Sequence, residues 1–427
     1  MYIKKTFILS LLVLIGLPIR AQYGNMDLKT LFSIANGDSY RYTQSDRANA
    51  QFELGRRMYT GEGGATRDLQ KAINWFYQSA NLGNRTAQYA MGIAYHTGEG
   101  VAEDYDKALY WYEQAAKKNE HNAAFEAGMM YFNGEGITTN PTKAANYFKD
   151  AAFGGIPKGM YYYAYCFAYG YGVKTDSIKA VLWLDRAIEN KYYSAYCLLG
   201  QMYEKGIAVK KDLSYAIHCY ENGDSFDDAD CQYNLAYIYL TGTGVEQDSI
   251  TAMDYYIKAA NNGKIDAAEY VALTYGIDDN QFYDPYIAME WTKLLISYGY
   301  EDYYYFLAHL YMDVNNYEDA LNIYEGLISK GDPDAYNELA YIYARGRGVN
   351  IDFKKAISLI DKAIKINPDN LNYLDSKGEI YTMMGDIKNA NKVYKKILSK
   401  QPHFFQNWRD ENGYNTAFYE YMKSNGY

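Results

Sequence analysis

Cysteine, histidine, serine and carboxylate side chains are the groups in this 427-residue chain that could do chemistry, and their spacing decides what they can do. Its four cysteines are Cys166, Cys197, Cys219 and Cys231, an even number that would allow two disulfide bridges in three connectivities. None of the spacings is Cys-x-x-Cys, so neither a zinc knuckle nor a thioredoxin-type couple has support. Buried thiols, packing like small apolar residues, are the favoured reading. The five histidines, His96, His121, His218, His309 and His403, stand singly, with no His-Glu-x-x-His to hold a metal on one helix face. No serine has Lys three residues on and no Gly-x-Ser-x-Gly occurs, which removes the usual serine-nucleophile arrangements. Carboxylates are abundant, but abundance on solvated helices does not identify an acid/base pair. The chain is therefore expected to be non-catalytic and to need no cofactor or metal.

What the chain does carry is a beat. Asp or Asn is followed four residues later by Ala at 68/72, 104/108, 140/144, 176/180, 212/216, 248/252, 284/288, 316/320, 352/356 and 386/390. The period is 36 residues for most of the chain and 32 to 36 towards its end. Each Asp or Asn reads as a helix N-cap, and Pro141 and Pro285 follow directly, where a missing amide costs nothing. Bulky residues recur seven or eight positions after the cap, such as Trp75/Phe76, Trp111/Tyr112 and Tyr147/Phe148, and mark one apolar face of a helix B. Cys219 holds such a position after Asp212.

Before each cap a helix A is marked by an apolar-plus-small pair, as in Leu54/Gly55, Met91/Gly92, Ala127/Gly128, Leu199/Gly200 and Leu307/Ala308. The small residue admits close approach of another helix. Most A-to-B connections carry Gly-x-Gly, for example Gly98/Gly100 and Gly170/Gly172, which is turn chemistry. A phosphate cradle is a poor reading there, since no Gly-Lys-Ser/Thr follows and no strand precedes. Repetition at this spacing predicts an all-α fold: a right-handed α-solenoid of about ten antiparallel helix-pair repeats with N- and C-terminal capping helices.

Units such as Met91-Gly92-Ile93-Ala94-Tyr95-His96-Thr97-Gly98-Glu99-Gly100-Val101, followed by Asp104-Tyr105-Asp106-Lys107-Ala108 and Trp111-Tyr112, resemble the Sel-one-like repeat (SLR) of the tetratricopeptide (TPR) superfamily. The resemblance runs from about Ala48 to Pro402. It departs at Tyr275 to Leu295, where the glycine pair is missing, and around Asn316 and Asp386, where the A-to-B turns are short as in tetratricopeptide repeats proper. The resemblance implies an adaptor that gathers partners into complexes, often exported in bacteria. Some exported relatives staple helix A to helix B by a disulfide in every repeat, whereas most repeats here contain no Cys.

The organisation expected is a signal peptide at 1–22, a capping segment at 23–47, the array at 48–402 and a second capping segment at 403–427. Lys4 and Lys5, an apolar run from Phe7 to Leu17, Pro18 and Ala21 give the secretory pattern, with cleavage near Ala21 or Gln22. That run is too short to span a bilayer, so contact with the membrane is expected only in transit, and the destination is the periplasm, the cell surface or the medium. Losing Lys4, Lys5 and Arg20 leaves 39 basic against 52 acidic side chains, a charge of −13. Such a field repels nucleic acid and anionic lipid, and favours a basic or neutral protein or peptide partner.

Tyrosine supplies 52 of the residues against 16 Phe and 5 Trp. Three residues before the small residue of helix A stand Phe52, Tyr89, Phe125, Tyr161, Cys197, Tyr233, Glu269, Tyr305, Asn337 and Asp375; one residue after it come Tyr165 and Tyr237 among others. In stacked helix pairs the A helices line the concave surface, so Phe52, Tyr89, Phe125, Tyr161, Tyr165, Tyr233, Tyr237 and Tyr305 are the candidate partner-binding groove. Rings there suit an extended peptide, adding contact area with few rotors to freeze. The alternative is that they pack between A helices and meet no ligand. Two other functions fit the same groove: a glycan-binding surface module, with tyrosines stacked on sugar faces, and a cell-wall or β-lactam-directed hydrolase, which a labelled penicillin would reveal.

Overall fold

The computed structural model describes residues 22–401. Apart from Gln22, the expected signal peptide lies outside these residues, and so does the second capping segment expected at 403–427. Every described element is a helix. The first, α1 (Leu28–Ala35), is capped by Asp27, whose carboxylate accepts from the Thr30 amide, and it buries Leu31 and Ile34 against the next helix. Helix pairs follow: α2 (Gln44–Thr60) with α3 (Leu69–Asn81), α4 (Arg85–Thr97) with α5 (Tyr105–Ala116), and α6 (His121–Asn133) with α7 (Pro141–Phe153). Next come α8 (Pro157–Tyr169) with α9 (Ser177–Glu189), α10 (Ala195–Lys205) with α11 (Leu213–Asp224), and α12 (Ala229–Thr241) with α13 (Ser249–Asn261). The remaining pairs are α14 (Ile265–Gly276) with α15 (Pro285–Ser297), α16 (Tyr303–Asp313) with α17 (Tyr317–Ser329), α18 (Pro333–Arg345) with α19 (Phe353–Ile366), and α20 (Leu371–Met383) with α21 (Ile387–Lys400).

The chain divides into two compact units, up to Tyr255 and from Tyr256. In the first, α1 to α12 pack each on the next, and A helices also touch across repeats, α4 on α6, α8 on α10 and α10 on α12. In the second, α14 to α21 pack in the same consecutive way. Within each unit this is the packing of an α-solenoid, and the sequence beat predicts it.

Local chemistry explains the beat. All ten predicted caps hold: Asp68, Asp104, Asn140, Asp176, Asp212, Asp248, Asp284, Asn316, Asp352 and Asp386 each accept a first-turn amide through a side-chain oxygen. The cap's own amide does a second job. It donates to a carbonyl in the last part of helix A, as Asp104 does to Tyr95 at 2.9 Å and Asp352 to Tyr343 at 3.0 Å, which fixes the length of the connection. The glycine-less repeat keeps this closure, Asp284 donating to Tyr275 at 2.8 Å. Where the turn is short, Asn316 and Asp386 donate instead to Tyr311 and Tyr381.

Close approach explains the small residue of helix A. A Cβ on Gly92 would lie 2.4 Å from the Tyr112 ring, and one on Gly128 would lie 2.8 Å from Phe148, so the large residue eight after the cap lies flat on the helix A backbone. The second glycine of the connection has a role the sequence reading missed. Gly172 abuts the start of the preceding B helix, where a Cβ would stand 2.0 Å from the Pro141 carbonyl oxygen. It couples repeats as well as turning the chain.

A buried charge network anchors the N-terminal end. Glu53 is fully buried and accepts from both Arg56 and Arg57, and Arg57 donates to the carbonyls of Tyr23 and Gly24 at 3.2 and 3.0 Å. Removing one member would leave a buried charge uncompensated, so the segment entering the first repeat is held firmly.

Candidate functional site

The aromatic series on the A helices does not present one uniform ladder. Phe52 and Tyr89 are 1% and 4% exposed and belong to the core, against Phe76 at 5.6 Å and Tyr112 at 5.9 Å. The reason is the small residue: it lets the B-helix ring slide under the A helix, and the ring three residues earlier closes over it. These two rungs therefore meet no ligand while the fold is intact, which corrects their place in the expected groove.

Further along the first unit the rings emerge. Phe125 and Tyr161 are half-buried; Phe125 packs on Phe148 and Tyr162, and Tyr161 on Tyr162 and Tyr192. Tyr165 is half-buried between Phe132 at 5.6 Å and Tyr169 at 4.5 Å. Tyr169 itself is exposed, a member of the stripe that the sequence reading left out, four residues after Tyr165 on the same helix face. Tyr233 is half-buried and Tyr237 is 52% exposed.

Carboxylates accompany these rings. Burial pushes the Glu126 carboxyl up to about 7, against Lys158, which lowers it, and Glu135, which raises it further. Burial raises the Tyr161 hydroxyl, with Asp230 adding to the effect, and pushes Tyr192 up to about 12. These phenols stay neutral hydrogen-bond donors at ordinary pH. An aromatic surface with acidic neighbours can hold aliphatic and aromatic side chains of a partner and favour its basic ones.

Much of the remaining tyrosine has a structural task. The cap closure ends on Tyr95, Tyr131, Tyr203, Tyr239, Tyr275 and Tyr343, and Lys three residues after the cap lies over such a ring, as Lys143 does over Tyr131 at 4.6 Å and Lys355 over Tyr343 at 3.9 Å. Asp-x-x-Lys, recurring at Asp68/Lys71, Asp104/Lys107, Asp176/Lys179 and Asp352/Lys355, was the available signal.

In the second unit, Tyr305 packs at a tilt on Tyr324, ring centroids 6.2 Å apart, and a polar cleft of about 270 Å³ is lined by His309, Glu338, Tyr341, Arg345 and Arg347 among others. His309 lies 3.8 Å from Glu338, whose carboxylate raises its pKa. A more apolar cleft of about 500 Å³ opens between α16 and α17 beside Tyr304, Leu307, Tyr311 and Gly326.

Among the described residues one group brings potential metal donors together: Cys197, Asp228 and Cys231, with donor atoms within 4.8 Å of one another. Sequence spacing gave no hint of it, because the two cysteines come from different repeats. His96 is partly buried and bridges Glu135 at 3.0 Å and the Tyr112 hydroxyl at 3.3 Å.

The Sel1 repeat profile matches seven segments, 48–84, 86–120, 121–152, 157–192, 194–222, 229–264 and 333–367, more than half of the chain. The chain belongs to the Sel1-repeat family. A tetratricopeptide repeat profile matches this Sel1-repeat protein at 304–336, where the A-to-B turn is short. Solved structures similar to it include c5321, a protective antigen of uropathogenic Escherichia coli with an SLR fold (23% identity, 95% of this chain and 87% of that one, TM-score 0.49). A Sel1 repeat protein from Oxalobacter formigenes shares 30% identity over 58% of this chain and 99% of its own, with TM-score 0.48. A search of curated proteins finds no significant match. Sel1 and tetratricopeptide repeat proteins are generally protein-interaction scaffolds, and their fold is typically non-catalytic. No described helix is long and apolar enough to cross a membrane.

Proposed function

We propose that this Sel1-repeat protein is an exported, non-catalytic adaptor that holds a protein or peptide partner along the A helices of its first unit. The observation carrying the proposal is the emergence of the A-helix rings from core to surface, from Phe52 and Tyr89 through Phe125, Tyr161, Tyr165 and Tyr233 to Tyr237. Half-buried rings give large contact area at small entropic cost, and neighbouring carboxylates such as Asp230 select against nucleic acid and for basic side chains. In this proposal Tyr305 serves the second unit in the same capacity. Residues 1–22 direct export and are removed, so the mature N-terminus falls near Gln22 or Tyr23.

The test compares three chains in affinity capture with cross-linking: wild type, a Tyr165→Ala/Tyr169→Ala/Tyr237→Ala variant, and a Tyr110→Ala/Tyr215→Ala control on exposed B-helix positions. The stripe variant is expected to lose the partners that cross-link to α8 and α12, with the control unchanged. Equal retention by all three sinks the groove assignment. Fractionation with N-terminal sequencing of the mature chain tests export, and turnover of a labelled penicillin would contradict the non-catalytic reading.

A further inference from the structure

We propose that Cys197 and Cys231 form a disulfide that staples the A helix of one repeat to the A helix of the next, α10 to α12. Their sulfurs lie within 4.8 Å of each other, with both residues buried. Three departures from the repeat converge on that spot. Position 231 is five residues before the small residue of helix A, where six of the other repeats carry Ala50, Ala87, Ala123, Ala195, Ala267 and Ala335 and three carry Gly159, Tyr303 and Tyr373. It packs against the B-helix position eleven after the cap, which is Ser79, Ala115, Ala151 and Ala187 in the preceding repeats and Ala259 in the following one, but Gly223 here. A Cβ on Gly223 would lie 2.1 Å from the Cys231 sulfur. The repeat has thus exchanged a methyl on one helix for a sulfur on the other, keeping the volume and placing that sulfur beside the third departure. Cys197 occupies the position held by an aromatic ring in the other repeats of the first unit.

The two sulfurs are held differently. The Cys197 sulfur accepts from the Asn234 side-chain amide at 3.1 Å and from the Gln201 side-chain amide at 3.6 Å. The Cys231 thiol, hydrogen-bonded to that sulfur and buried, has its pKa pushed up and keeps its proton. With glutathione disulfide as oxidant, the Cys197 thiolate attacks one glutathione sulfur, forms a mixed disulfide and expels a glutathione thiolate. The Cys231 sulfur then attacks the Cys197 sulfur, the S–S bond to glutathione breaks, and the second glutathione leaves. Two electrons pass from the protein to the oxidant, and the two thiol protons end on the two glutathiones. The third donor, Asp228, is there for another reason: its Oδ1 accepts the Cys231 amide at 2.9 Å as the N-cap of α12, as aspartates do at helix after helix of this chain. Capping accounts for that carboxylate but not for the paired sulfurs. Three donors also fall one short of a closed structural zinc site.

The wild-type chain settles the matter without any variant having to fold. After equilibration with glutathione disulfide and alkylation by iodoacetamide in denaturant, two alkyl groups are expected, on Cys166 and Cys219, rising to four after reduction. Peptide mapping is expected to find Cys197 joined to Cys231. The oxidised chain should melt on the order of 5–10 °C above the reduced one, a difference absent in Cys231→Ser. Four alkylated cysteines after oxidation overturn the proposal. So does a cross-link that uses Cys166 or Cys219, or a reduced chain that binds one equivalent of zinc through the pair and resists oxidation.

Discussion

The two units build the same repeat and present different faces with it. In the first, positions three before and one after the small residue of helix A carry Phe125, Tyr161, Tyr165, Tyr233 and Tyr237; in the second the corresponding series includes Glu269, His309, Asn337, Tyr341 and Asp375. Yet caps, closures and B-helix rings recur in both, down to the Asp284-to-Tyr275 bond in a repeat that has lost its glycines. The scaffold is held by backbone geometry and a few side chains off the A face. That leaves the A face free to change from aromatic to polar without unfolding the array.

If the comparison is right, changes to the shared geometry should cost far more than changes to the faces. The largest effect is expected at Gly172. Ala there sets a Cβ 2.0 Å from the Pro141 carbonyl oxygen, backbone that cannot swing aside, at a φ of +72°. Strain and overpacking together should destabilise the first unit by about 3 kcal/mol or more. Gly263, in the second unit, has φ +91° but nothing within 4 Å of its Cβ, so Gly263→Ala should cost only about 1 kcal/mol. Urea unfolding of both variants decides it. Equal losses would mean that φ strain alone matters and that repeats are not coupled through the second glycine.

The next effect tests the ring-on-backbone contact. Gly92→Ala drives a methyl into the Tyr112 ring and should cost about 2 kcal/mol. Ala at the small position is paired in register with Leu184 and Ile360 at Ala164 and Ala340, and with Tyr256 and Tyr324 at Ala236 and Ala308, so both pairings occur. Tyr112→Leu added to Gly92→Ala reproduces the Ala164/Leu184 pairing and is expected to recover part of the loss, giving a coupling of at least about 0.5 kcal/mol in a double-mutant cycle. Simple additivity of the two changes would break the link between small residue and ring.

Glu126 sharpens the contrast between aromatic and polar faces. Its carboxyl titrates near 7 in the folded chain against a reference of 4.5, so between those values the folded state holds a proton that the unfolded state has lost. Stability must then fall as pH rises from about 4.5 to about 7, and level off above. Glu126→Gln should remove this slope and add about 1–2 kcal/mol at pH 8, less than the full linkage value because the residue keeps some exposure. Unchanged pH dependence in the variant would mean the carboxyl is already hydrated.

Residue type advertised much of this fold and little of the site. Caps, glycine connections and the small residue of helix A are each specified by one side chain at a fixed offset, so a single sequence displays them. The turn from B to A also needs a positive φ, filled by Gly83, Gly155, Gly263 and Gly299 but equally by Asn119, Lys191 and Asp227, so no single residue type marks it. Exposure of Tyr237 and burial of Tyr89 depend on what packs above each ring, and the two positions carry the same residue. The meeting of Cys197 with Cys231 depends on neighbouring repeats lying side by side, which becomes visible only once the helices are stacked.

The smallest effect concerns the one connection of the first unit in which Ala208 stands where its neighbours place the second glycine. Ala208 has φ +57°, a left-handed conformation that its Cβ disfavours by roughly 1–2 kcal/mol. Ala208→Gly relieves that strain, while the added freedom of the unfolded chain takes back about 0.4–1 kcal/mol. The net expectation is a stabilisation of about 0.5 kcal/mol, read as a higher urea midpoint at unchanged slope. This runs opposite to Gly172→Ala at the equivalent place one repeat earlier. A lower midpoint would show that the Ala208 methyl makes a contact worth more than the strain, and that this connection is held by packing where its neighbours are held by turn geometry.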